Sequence, residues 1–167
     1  MIYHRLPVLE VFKFSSLWLC FPIIDPLSVI KMLQATVPKE TMEAFDSIKK
    51  TKKNRYAIFK ADDGKVVVTK TGERDANFEA FNADIQAAAP AYAVFDFEWK
   101  MDDGSNRDKL VFVTYIPDTA KPKEKLLYAA TKETFKNNIE GGLIEVQGTD
   151  PSEISYDAVL AKAKTGR

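Results

Sequence analysis

Leu110 to Ile116 (LVFVTYI) is a nearly continuous apolar run, followed at once by a turn and one long helical stretch, Pro117 to Gly141. A run of that kind reads as a central strand buried on both faces. Such a strand needs cover on each side, which commits the chain to a sheet with helices packed on both faces. The stretch after it supplies part of that cover. Asp118 and Thr119 are placed to cap the helix, and Pro122 falls in its first turn, where a missing N–H costs nothing. Gly141 and Gly142 stop it.

This helix breaks a local rule. Lys121, Lys123 and Lys125 crowd its N-terminal end, which is the positive end of the helix dipole. Each charge placed there costs about 0.3–1 kcal/mol at an exposed end, and Glu124 offsets only part of it. The apolar side chains are split as well. Tyr128, Phe135 and Ile139 share one stripe and should face a core, whereas Leu126 and Leu127 lie off it. A solvated basic helix end is the reading that spacing alone favours. The alternative is an apolar anchor flanked by cations, which fits a partner protein.

The rest of the chain alternates in the same manner. Pro38 to Lys53 reads as a helix with Met42, Phe45 and Ile48 at apolar spacing. Its lysines (Lys49, Lys50, Lys52, Lys53) form a short basic run, read as a solvated helix end, with a nuclear-entry signal or an anionic lipid contact as the alternative. Arg55 to Ala61 and Lys65 to Lys70 are strands joined by a hairpin turn at Asp62-Asp63-Gly64. Asp75 to Ala89 is a helix with Phe78, Phe81 and Ile85 on one face, ended by Pro90. Tyr92 to Lys100 alternates as a strand, and the DDGSNRDK loop leads to the apolar run. Leu143 to Val146 is a short strand. Thr149-Asp150-Pro151 starts the last helix, which carries Ile154, Ala158, Val159 and Leu160 and ends among Lys162, Lys164 and Arg167.

The totals narrow the function. With 167 residues the chain is long enough for one domain with a sizeable core. Lysine plus arginine equals aspartate plus glutamate at 24 each, so no nucleic-acid partner is expected. Cys20 is the only cysteine, which rules out an intrachain disulfide and fits a reducing compartment. His4 is the only histidine, so a Ser-His-Asp triad or a histidine-rich zinc site in the domain fails by count. Neither glycine-rich phosphate motif is present. The carboxylate pairs Asp62/Asp63 and Asp102/Asp103 sit in D-D-G turns, where turn chemistry explains them. No cofactor, metal or catalytic role is therefore expected.

Residues 1–31 stand apart. They are apolar and aromatic, with three prolines, and the run from Phe14 to Ile24 is too short to span a bilayer. A targeting segment, a packed extension and translated upstream sequence before a start at Met32 are the alternatives, and the last is favoured. The expected domain is 32–167.

From Met32 onward the chain resembles the actin-depolymerising factor/cofilin family. The matching stretches run in order: AFDSIK (Ala44 to Lys49), YAVFDFE (Tyr92 to Glu98), KLVFVTYIPDTA (Lys109 to Ala120), KPKEKLLYAATKETFKNNIEG (Lys121 to Gly141) and VQGTDPSEISYDAVL (Val146 to Leu160). The resemblance implies an α/β domain of the α+β type, a single ADF-homology domain. Its five- or six-stranded mixed sheet lies between pairs of helices, with the long helix at about residues 120–140. It implies binding to actin monomers (G-actin) and filaments (F-actin), with the ADP form preferred, and filament severing and depolymerisation. The family's monomer and filament contact falls on Ala35, Thr36, Val37, Lys123, Lys125, Leu126, Glu133, Lys136 and Asn137, with Asn137 standing where the family carries a basic residue. Its filament-specific contact falls on Arg107, Lys109, Lys162 and Lys164, and Ala161 replaces the usual acid beside them. Phosphoinositide headgroups would take Lys123, Lys125, Lys132 and Lys136. The family's regulatory serine has no counterpart in LQATVPK after Met32; Thr36 is the nearest hydroxyl. A monomeric, cytoplasmic protein of the actin cytoskeleton is the expectation, with nuclear entry open.

Overall fold

A computed structural model describes residues 35–139 and 141–165 of the chain. The readings made for residues 1–31, for a start at Met32 and for Arg167 lie outside the described residues.

The described chain runs α1 (Lys39–Lys49), β1 (Asn54–Asp62), β2 (Lys65–Glu73), α2 (Phe78–Ala88), β3 (Ala91–Lys100), β4 (Asn106–Tyr115), α3 (Pro122–Asn138), β5 (Ile144–Gly148) and α4 (Tyr156–Thr165). One 3-10 turn, Pro151–Ile154, precedes α4. The strands form one five-stranded sheet in the order β2-β1-β3-β4-β5. All neighbours are antiparallel except β4 and β5, which run parallel. A parallel pair needs a crossover, and α3 is that crossover.

The core has two layers, one on each face of the sheet. On one face, Phe81 and Ile85 of α2 and Val159 and Ala163 of α4 pack on Tyr56, Phe95 and Phe97. On the other, Phe45 and Ile48 of α1 and Tyr128 and Phe135 of α3 pack on Phe59, Tyr92 and Phe112. A mixed sheet between two pairs of helices is the architecture expected. The hairpin turn is also as read: Asp63 and Gly64 both have positive φ, at 43° and 70°, as a two-residue turn of the D-G type requires.

Several boundaries move for local reasons. β4 is an interior strand, as read from its apolar run, but the middle strand of the sheet is β3. Ala91 to Phe97 is buried throughout, whereas in β4 only Val111 to Tyr115 is. Asp96 made β3 look one-faced, yet it is 2% exposed and meets the Arg74 guanidinium. The loop after β3 is short. Arg107 and Lys109 already lie on the β4 ladder, opposite Trp99 and Phe97. Helix α2 starts at Phe78 because Asn77, and not an earlier residue, accepts the Ala80 N–H at 2.8 Å. Helix α1 ends at Lys49, and Lys52 turns the chain with a φ of 49°. The last helix begins as the 3-10 turn. The Glu153 carboxylate accepts N–H bonds from Thr149 and Asp150 there, and α4 follows only from Tyr156. Among the described residues no helix is long and apolar enough to cross a membrane.

Candidate functional site

Helix α3 is fixed by its buried side. Tyr128, Thr131 and Phe135 are its buried residues. The Tyr128 hydroxyl donates to the Pro90 carbonyl at 2.6 Å and accepts the Ala61 N–H at 3.1 Å. Burial pushes that phenol above its ordinary range. The Phe135 ring meets Phe59 edge-on with centroids 5.0 Å apart. With these anchors the helix cannot roll, so its opposite face is presented in one orientation.

Neither Asp118 nor Thr119 caps the helix. The N-cap is Lys121, whose N–H donates to the Glu124 carboxylate at 3.1 Å. Asp118 instead reaches Lys125, with Nζ 3.3 Å from Oδ1. Lys123 is exposed and forms no ion pair among the described residues. Leu126 is 53% exposed, the most exposed large hydrophobic residue among those described. Leu127 is half-buried. Lys123, Leu126, Glu133 and Asn137 follow at helical spacing on one outward stripe, and the last three are all exposed.

The adjoining stripe behaves differently. Lys132 and Lys136 both donate to Glu145 on β5, at 2.7 and 2.8 Å. Lys132 first, and then Lys136, hold the Glu145 carboxyl down at about 2, and Lys136 is raised by the same contact. These lysines are tethered to the protein's own carboxylate, unlike Lys123. Glu145 was missed in the sequence. The alternation of Ile144–Gly148 places Glu145 and Gln147 on the α3 side, but only the crossover brings Lys132 and Lys136 to them.

Ala35 is tied to the same helix, its N–H donating to Thr131 Oγ1, and Thr36 and Val37 follow it. Ala35 is 1% exposed, so its side chain faces the core and not a partner, contrary to expectation. Thr36 is exposed and forms a parallel bridge to Lys65, with its N–H on the Gly64 carbonyl at 2.8 Å. Val37 is half-buried.

The second set of residues is only partly gathered. Lys109 and Lys162 line one cleft with Glu145 and Thr165, between the start of β5 and the end of α4. Arg107 and Lys164 are exposed but do not line it. The basic run after α1 is exposed from Lys50 to Lys53, as read for a solvated helix end, and some of its charges also find partners within the chain. Lys50 pairs with Asp46 at 2.7 Å, Lys52 with Asp108 at 2.6 Å, and Lys49 lies over the Phe45 ring. In the second D-D-G turn Asp103 accepts the Ser105 N–H at 2.8 Å, which is turn chemistry.

Comparison with known proteins gives a consistent result. A family model described as "Cofilin/tropomyosin-type actin-binding protein" matches residues 34–164. Actin-depolymerizing factor 7 of Arabidopsis thaliana is 35% identical over 127 residues, covering 76% of this chain and 93% of that protein. Cofilin of Saccharomyces cerevisiae is 36% identical over 132 residues, covering 78% and 92%. The crystal structure of Streptomyces griseoflavus cofilin superposes with a TM-score of 0.72 at 32% identity, over 80% of this chain and 99% of that one. Human coactosin-like protein shares the fold with a TM-score of 0.66 at 19% identity, over 78% and 98%.

Proposed function

The chain belongs to the cofilin/actin-depolymerising factor family of actin-binding proteins, and from that premise we propose that it binds actin monomers and filaments, prefers the ADP form, and severs and depolymerises filaments. The observation that carries the proposal is the exposed Leu126, just after Lys123 and Lys125, on a helix locked by Tyr128 and Phe135. An apolar anchor on a rigid element, ringed by cations, suits a groove with an acidic rim. Thr36 and Val37 extend the contact beside α3, and Glu133, Lys136 and Asn137 continue it along the helix. Arg107, Lys109, Lys162 and Lys164 form the filament-specific contact.

The mechanism needs no bond chemistry. A ligand that prefers one filament geometry shifts the filament toward it, limited by its differential affinity for the two states. Junctions between decorated and bare segments then become weak points. The working unit is the domain 32–167, acting as a monomer in the cytoplasm on the actin cytoskeleton. Phosphoinositide headgroups would compete for Lys123, Lys125, Lys132 and Lys136.

Co-sedimentation with filaments tests the contact: Lys123→Ala with Lys125→Ala should abolish pelleting and monomer binding while the melting temperature stays unchanged. Unchanged binding overturns the site. A second reading, decoration without severing, draws on the exposed, uncharged Asn137 and Ala161. Filament-length microscopy separates the two, since shortening supports severing and decoration at constant length supports the second.

A further inference from the structure

Glu145 accepts three side-chain hydrogen bonds. Lys132 Nζ and Gln147 Nε2 reach Oε1 at 2.7 and 2.8 Å, and Lys136 Nζ reaches Oε2 at 2.8 Å. Two ammonium groups one helical turn apart thus converge with an amide on a single carboxylate. Convergent N–H donors, two of them charged, are what a phosphate group asks of a protein. We propose that Lys132, Lys136 and Gln147 form a seat for phosphate-class anions, and that Glu145 is its resident occupant, keeping external phosphates out. The inference rests on the phosphoinositide reading and divides its lysines: Lys123 stands open, whereas Lys132 and Lys136 are already engaged.

Two further observations support it. The seat adjoins a groove between α3 and the ends of β4 and β5, lined in part by Thr114, Tyr128, Lys132 and Gln147. Thr114 is 5% exposed, and its hydroxyl has no hydrogen-bond partner among the described residues. The residue lines the groove, while its hydroxyl oxygen is itself buried and left over by the protein's own bonding. The Glu145 carboxyl is held down at about 2, so it stays charged and in place at neutral pH. Being part of the chain, it also competes at a high effective concentration.

The test uses the full chain and two probes: soluble inositol trisphosphate, and phosphatidylcholine vesicles carrying phosphatidylinositol bisphosphate. Glu145→Gln should bind the vesicles about tenfold or more tightly than the wild type, since each freed lysine near an anionic surface is worth about a factor of five. Adding Lys132→Ala and Lys136→Ala to that variant should erase the gain. Glu145→Asp, too short to span both ammonium groups, should give a smaller gain and serves if the glutamine variant folds poorly. A gain with both probes assigns the seat to the headgroup itself, and a gain with vesicles alone assigns it to headgroups at a membrane surface. A wild type that binds while both Glu145 variants bind no better overturns the inference and leaves the phosphoinositide reading standing. A wild type that does not bind, beside a variant that does, removes that reading and supports the resident carboxylate. No binding by any of the proteins overturns both.

Discussion

The Ala35 N–H donates to Thr131 Oγ1 at 3.0 Å, across 96 positions of sequence. Both residues are buried, so the bond ties the segment before α1 to the inner side of α3. The segment that carries the exposed Thr36 is thereby held to α3 at its inner side. Thr131→Val keeps the shape and removes the acceptor, leaving a buried N–H unpaired. The expected cost is about 1–3 kcal/mol in urea unfolding, with weaker actin binding although every candidate contact residue remains. Unaltered stability would mean that the bond has no weight.

The acid limb of stability should report Glu145. Its carboxyl is lowered from 4.5 to about 2 by Lys132 and Lys136. A depressed folded value means that its stabilisation is present above about pH 4.5 and is lost as pH falls toward 2. Glu145→Gln should therefore be less stable than the wild type by about 1–2 kcal/mol at neutral pH, and the gap should close in acid. Denaturant unfolding of both proteins across that range checks it. A gap that stays constant with pH contradicts the ion pairing.

Gly72 should tolerate no side chain. A Cβ there would lie 2.0 Å from the Tyr56 ring. That ring cannot swing away easily, because its hydroxyl donates to Asp84 and it packs edge-on to Phe81 at 5.3 Å. Gly72→Ala should cost about 1–3 kcal/mol or more, read as a lowered melting temperature. An unshifted melting temperature would show that Tyr56 moves freely.

These cases show which parts of the molecule were readable in the sequence. Periodicity carried the helix pairs, because Phe81 with Ile85 and Tyr128 with Phe135 lie at helical spacing and need a core. The D-G turn was readable because its backbone demands those residues. The rank of β3 was not. Asp96 reads as a solvent-facing position until Arg74, contributed from beyond β2, is seen to meet it. The site divides in the same way. Lys123 and Leu126 could be singled out because each breaks a local rule of helix design. Glu145 breaks none, and its role exists only where the crossover sets β5 beside α3.

Asn137 tests whether the family's contacts transfer position by position. It is exposed at the end of the outward stripe. Asn137→Arg should tighten filament binding by about two- to fivefold at low salt, without a change in melting temperature. Co-sedimentation at two salt concentrations measures it. No gain at low salt would place that part of the helix outside the contact.

The central claim is that the start of α3 grips actin through an apolar side chain that the fold itself does not use. Leu126→Ser tests it most directly, by titration against monomeric ADP-actin beside a thermal melt. At 53% exposure the leucine adds little to stability, so melting should be unchanged. Affinity should fall about tenfold or more, as for a residue central to an interface. Full affinity in the serine variant, or a marked loss of melting temperature, would contradict the account.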